Sequence, residues 1–236
     1  MREARRVAVL LLGALAGSSP PADRLLAQEN SMVVPPMPAV TVDGRLGVDE
    51  WTGSRRAGTE EIELWVGTVD GVVQIGVRTP PLFVASLCLS VGDTVRVLHA
   101  SSALGDVRYV RDGSDWRRLD EFEWRVRATD DGPEATRERL EHLETRGWVG
   151  NTVAMGDPGE TEFRVGAALV PPDGARLAIG LLLEGDDPAV TGWPLGASGD
   201  GCTLRETIAG PPPERAVFEP DGWLHLTGEE GVSRPR

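Results

Sequence analysis

A chain of 236 residues with 37 acidic and 24 basic side chains carries a formal charge of −13. Acidity of that size repels nucleic acid and anionic membrane surfaces, so neither is an expected partner. Every basic side chain is arginine and lysine is absent, which excludes a P-loop, a Schiff-base lysine and a Ser–Lys dyad; the abundance of Ala, Gly, Val and Pro attributes the bias to GC-rich coding.

Taken in chain order, Arg2, Arg5 and Arg6 make a basic start, and Val7 to Leu15 is apolar apart from Gly13. Basic residues followed by a short apolar helix and small residues form the pattern of a cleavable export signal, here residues 1–27. Cleavage fits after Ala27 or, in the Ala14-Leu15-Ala16 spacing, after residue 16. The apolar stretch is shorter than the ~20 residues of a bilayer-spanning helix, so no membrane span is expected after cleavage. With no cysteine nearby, a lipid anchor is excluded, and the expected location is secreted or periplasmic. Cleavage at 27 removes four arginines and two acids, which makes the remaining chain more acidic still.

Residues 28–39, with Pro35, Pro36 and Pro38, read as an extended leader, and residues 40–236 as the folded domain. Ile62, Leu64 and Val66 alternate with polar neighbours. After Asp70-Gly71, Val73, Ile75 and Val77 resume the alternation, which predicts a hairpin closed by an Asp-Gly turn. Further strands are expected at 82–91, 94–98, 107–111, 122–126, 161–170, 177–183, 216–218 and 223–226. Pro133 to Arg146 breaks the pattern. It follows Asp130-Asp131, ends at Gly147 and carries a thin apolar stripe of Ala135, Leu140 and Leu143, the marks of a helix lying on a surface. Many short strands with one helix predict a mostly β fold: a single antiparallel β-sandwich with one peripheral surface helix. Cys88 and Cys202 permit one disulfide in an exported chain, the alternative being two buried free thiols.

Catalytic and metal motifs are absent from the sequence: no HExxH, CxxC, G-x-S-x-G or G-x-G-x-x-G spacing occurs. Three features carry chemistry. The turn Val42 to Trp51 gathers Asp43, Asp49 and Glu50, hard oxygen ligands that could hold Ca²⁺, although their spacing is not that of an EF-hand. Seven tryptophans stand against one tyrosine and four phenylalanines, and exposed indoles are platforms for sugar rings. Trp124 shares its phase with Phe122 and Val126 and reads as core. Trp65 shares its phase with Glu61 and Glu63, so it points away from the main apolar face and is the leading ligand-facing aromatic. Trp193 and Trp148 sit in expected loops and follow it. His99 continues the inward phase of Val95 and Val97 and reads as a satisfied interior histidine; as a catalytic base it would have Ser101 or Ser102 as neighbours.

Val42, Asp43, Gly44, Leu46, Asp49, Glu50 and Trp51, followed by Leu64-Trp65-Val66 and Val73-Gln74-Ile75-Gly76-Val77, resemble the opening of carbohydrate-binding module family 9 and related DOMON-like β-sandwiches. Gly47 stands where that pattern has an acid, which weakens any cation inference. The resemblance covers Val40 to Arg78 and implies a non-catalytic sandwich of the kind attached to extracellular polysaccharide-degrading enzymes. The leading functional expectation is a secreted binding module for a carbohydrate or another small polar ligand. The alternatives are an envelope structural or interaction protein with an envelope protein partner and no small ligand, and a hydrolase using His99.

Overall fold

The computed structural model describes residues 31–47, 49–101, 103–119, 124–126, 133–153, 156–183, 190–194, 202 and 212–228. The signal segment 1–27 therefore lies outside the described residues, as do Ser102 and the Asp130-Asp131 cap. The side chains of Trp124, Ala135, Leu140 and Leu143 are likewise outside the description.

The elements run β1 (Ser31–Val33), β2 (Arg55–Gly58), β3 (Glu63–Val69), β4 (Val72–Thr79), β5 (Phe83–Val91), β6 (Thr94–Ala100), β7 (Ala103–Asp112) and β8 (Asp115–Arg118). They continue with β9 (Trp124–Val126), α1 (Pro133–Arg146), β10 (Trp148–Val153), β11 (Gly159–Val165), β12 (Ala175–Leu183), β13 (Val190–Trp193), β14 (Arg215–Ala216) and β15 (Leu224–Thr227). The β3–β4 hairpin forms where its turn sequence directs it. Val69 faces Val72, and Asp70 and Gly71 take φ of 51° and 80°, the two left-handed positions of a type I′ turn. The helix spans Pro133–Arg146, as its flanking signals predict, and its described residues are mostly exposed apart from buried His142.

Two sheets result. The larger has the order β1-β15-β12-β5-β6-β7-β8-β14, with β13 beside β12 and β9 beside β7. The smaller has the order β10-β11-β4-β3-β2. All strand pairs are antiparallel except β1 with β15, which is parallel. Residues 31–33, inside the segment read as a leader, are thus hydrogen-bonded into the sheet through the last strand.

Strand period sorts the apolar residues into three layers. Leu64, Val66, Ile75, Val77, Leu87, Leu98, Phe163 and Ile179 fill the space between the sheets. A second cluster covers the far face of the larger sheet, where Tyr109, Trp116 and Trp223 pack around Phe218 from the C-terminal segment. Cys88 and Cys202 join within this cluster as a disulfide with Cα atoms 5.8 Å apart. Val95 and Val97 belong here too, so their phase, and that of His99, faces this second layer rather than the inter-sheet core. A third cluster, Met37, Val40, Leu46, Trp51 and Trp65, lies on the outer face of the smaller sheet under the chain from residue 37 to 51.

Candidate functional site

The outer face of the smaller sheet is where the tryptophan, glycine and charged residues of several strands meet. Strand register places Arg56, Trp65 and Gly76 side by side across β2, β3 and β4. Gly76 matters because a Cβ there would come within 2.6 Å of Leu46 Cδ2 and 3.0 Å of Trp51 Cζ2. Gly67 plays the same part for Met37, whose Sδ would be 2.2 Å away from a Cβ. Two strand glycines therefore make a trough into which the Val42–Trp51 turn and the preceding segment settle.

Two acids of β11 fasten that turn. Glu162 Oε2 accepts hydrogen bonds from the backbone N–H of Asp43 (2.9 Å) and Gly44 (2.8 Å). Glu160 Oε2 accepts from the N–H of Leu46 at 3.1 Å. Asn151 donates to the carbonyl of Val42 and Arg164 to that of Val40. Gly44 has φ of +86°, and a Cβ on it would strike the Thr152 backbone at 2.8 Å. Glu162 is 0% exposed and its Oε1 has no partner among the described residues. Burial, with a further push from the charges of Glu50 and Asp43, lifts its pKa from 4.5 to about 8 against the pull of its backbone hydrogen bonds.

The carboxylates considered as Ca²⁺ ligands do not converge. Asp43 Oδ1 accepts from the N–H of Arg45, Glu50 Oε1 accepts from the N–H of Thr41, and Asp49 is exposed. Among the described residues no three His, Cys, Asp or Glu side chains gather as a metal site. Asp43 and Glu50 are thus engaged in shaping and fastening the turn.

Trp65 does point away from the inter-sheet core, but it is not an exposed platform. It is 3% exposed because the Val42–Trp51 turn and Met37 cover it. The guanidinium carbons of Arg56 and Arg78 stand 5.2 Å and 4.9 Å from its ring centroid. Arg78 is tied down by Glu63 (3.1 Å) and Glu160 (2.8 Å). Beside this stack opens a cavity of about 310 Å³ lined by Leu46, Trp51, Thr52, Ser54, Arg56, Trp65 and Arg78 with Gly47 and Gly53. The Trp51 indole N–H, in its wall, has no acceptor among the described residues.

Trp193 is 9% exposed and forms the end of β13 rather than part of a loop. It lines a second cavity of about 540 Å³ with Ser31, Met32, Arg55, Thr59, Glu63 and again Arg56. Trp148 is fully buried at the start of β10, edge-on to His142 of α1 with ring centroids 5.0 Å apart. Gly147 turns the chain at φ 77° straight from helix into strand, so no loop exists there to expose the indole. It has no access to either cavity's lining. His99 is buried, with its Nδ1 2.9 Å from Ser86 Oγ, and burial lowers its pKa from 6.5 to about 4.

No family model matches the chain, and no curated protein matches it. Two solved structures are similar to it, both of a carbohydrate-binding module family 9 from Caldicellulosiruptor kristjanssonii, one in complex with cellotriose and one with glucose. Identities are 11% and 12%, each alignment covers 87% of this chain and 98% of the other, and the TM-score is 0.43 in both.

Proposed function

We propose that this is an exported, non-catalytic binding module that takes a carbohydrate or another small polar ligand in the two cavities meeting at Arg56. The observation that carries the reading is the sharing of Arg56: it lines the smaller cavity with Trp51 and Trp65, and the larger with Trp193. Apolar indole walls beside fixed polar groups are what a sugar needs, since its C–H face packs on the ring while its hydroxyls bond at the edges. Thr52, Ser54 and Arg56 supply such groups in one cavity, and Ser31, Thr59 and Arg55 in the other. A volume of about 310 Å³ lies at the lower end of ordinary ligand pockets. The turn-and-hairpin resemblance favours the same class of function. For the hydrolase reading, a base needs reach to a substrate proton, and His99 is packed against Ser86 beneath the second apolar layer.

Calorimetric titration against a panel of soluble oligosaccharides tests the proposal. At least one is expected to bind, and Thr52→Trp, at an exposed position in the rim of the smaller cavity, is expected to abolish it with the unfolding midpoint unchanged. Silence across the panel would favour an interaction protein without a small ligand.

A further inference from the structure

We infer that the ligand of these cavities is an anionic saccharide whose acid groups are held by Arg55 and Arg56, an inference that rests on the binding reading above. The first observation is the local charge. In a chain with 37 acidic and 24 basic residues, the smaller cavity is lined by two arginines and no carboxylate. The larger is lined by Arg55, Arg56 and a single acid, Glu63, which is already paired with Arg78 at 3.1 Å. An excess of positive charge here, on a protein so acidic overall, is what an anion would seek and a neutral sugar would not require.

The second observation is which guanidinium groups remain unused. Arg78 spends its donors on Glu63 and Glu160. Arg55 and Arg56 are exposed, and among the described residues their side chains form no ion pair or hydrogen bond. Arg56 has one contact of note, the face of Trp65 at 5.2 Å, which orients the planar group and leaves its N–H fork open. That fork matches a carboxylate or sulfate in bidentate geometry, a stronger contact than neutral hydrogen bonds make.

The third is placement. β2 ends its sheet, so the outward N–H and C=O groups of this edge strand are also unpaired by any described neighbour. Arg55 faces Val66 across the ladder and Arg56 faces Trp65, so the two side chains leave on opposite faces and straddle the edge. A chain lying from the Trp193 cavity to the Trp65 cavity passes both in turn. Alternating indole walls and guanidinium forks suit a polymer of acidic sugar units better than a single small anion.

The experiment compares trigalacturonate, a sulfated trisaccharide and cellotriose by calorimetry on the full protein at low ionic strength. At least one acidic probe is expected to bind about tenfold or more tightly than cellotriose, and to weaken as salt is raised; which one separates carboxylate from sulfate. Arg56→Gln should remove that preference, and Arg117→Gln, an exposed arginine of β8 outside both cavities, should leave it intact. Equal affinity for acidic and neutral probes, or a preference that survives Arg56→Gln, overturns the inference and leaves the binding module standing. No binding of any of the three at the cavities overturns both. Arg56 is exposed, so the substitution spares the fold, and an unchanged unfolding midpoint confirms it.

Discussion

Replacing Glu162 by glutamine tests how the Val42–Trp51 turn is fastened. In the folded protein this side chain keeps its proton up to about pH 8, whereas an unfolded glutamate releases it near 4.5. Between those values the folded state binds the extra proton, so its stability falls as pH rises, by roughly 1.4 kcal/mol per unit. His99 acts with the opposite sign: its folded pKa is about 4 against 6.5, so between those values stability falls as pH falls. The two slopes cancel from about 4.5 to 6.5. What remains is a decline of about 2 kcal/mol between pH 6.5 and 8, a sizeable part of a domain stability of roughly 5–15 kcal/mol. Urea unfolding at pH 5, 6.5 and 8 reads it directly. Glu162→Gln keeps an oxygen for the Asp43 and Gly44 amides and removes the proton, so it should abolish the decline above 6.5 and reveal the histidine slope below. Parallel pH profiles for the two proteins would refute the assignment of a buried neutral acid at this position.

His99→Gln should uncover the Glu162 slope between about pH 4.5 and 6.5, where the native profile is level, so that stability rises as pH falls through that range; a profile that stays level there contradicts a buried neutral imidazole. Gly44→Ala forces a Cβ to 2.8 Å from the Thr152 backbone at φ +86° and should cost about 1–3 kcal/mol, read as a lower unfolding midpoint. Reducing the Cys88–Cys202 bridge opens a loop with 114 residues of separation. In the chain-entropy model that costs about 4–5 kcal/mol, seen as a lower urea midpoint in reductant, and no shift would mean the outer layer of the larger sheet holds residue 202 without it.

Much of the fold was legible because period and turn chemistry agree. Asp70-Gly71 between two alternating runs could form little else than a hairpin, and proline, arginine and glycine mark both ends of the helix. β10 was not legible: Trp148 and Gly150 pack inward while Asn151 on the other face bonds the Val42 carbonyl, so both faces are buried and no alternation shows. β1 was hidden for another reason, since its partner lies almost two hundred residues away in β15.

The placement of these side chains was legible only in part. Strand phase turned Trp65 away from the inter-sheet core, but phase says nothing of what else covers a face, and here the turn itself does. The signal for that cover was present in Gly67 and Gly76, glycines inside strands that mark close approach of another segment. Glu160 and Glu162 were lost among the many acids of the chain. Only the alternation of Thr161, Phe163 and Val165 with charged neighbours set them on the outer face. Arg56 carried no sequence signal at all, because its value comes from a register that sets it against Trp65 and from neighbours that leave it unpaired.

The central claim is that saccharide enters the cavities around Arg56, and the indole N–H resonances of the tryptophans report on it most directly. In a titration with trigalacturonate or cellotriose followed by ¹H–¹⁵N NMR, the Trp51, Trp65 and Trp193 indole signals should move together along one saturating curve. Trp116 and Trp223, sealed in the layer beyond the larger sheet, should stay in place. Stationary Trp65 and Trp193 signals at saturating sugar, or movement confined to Trp116 and Trp223, would contradict the account.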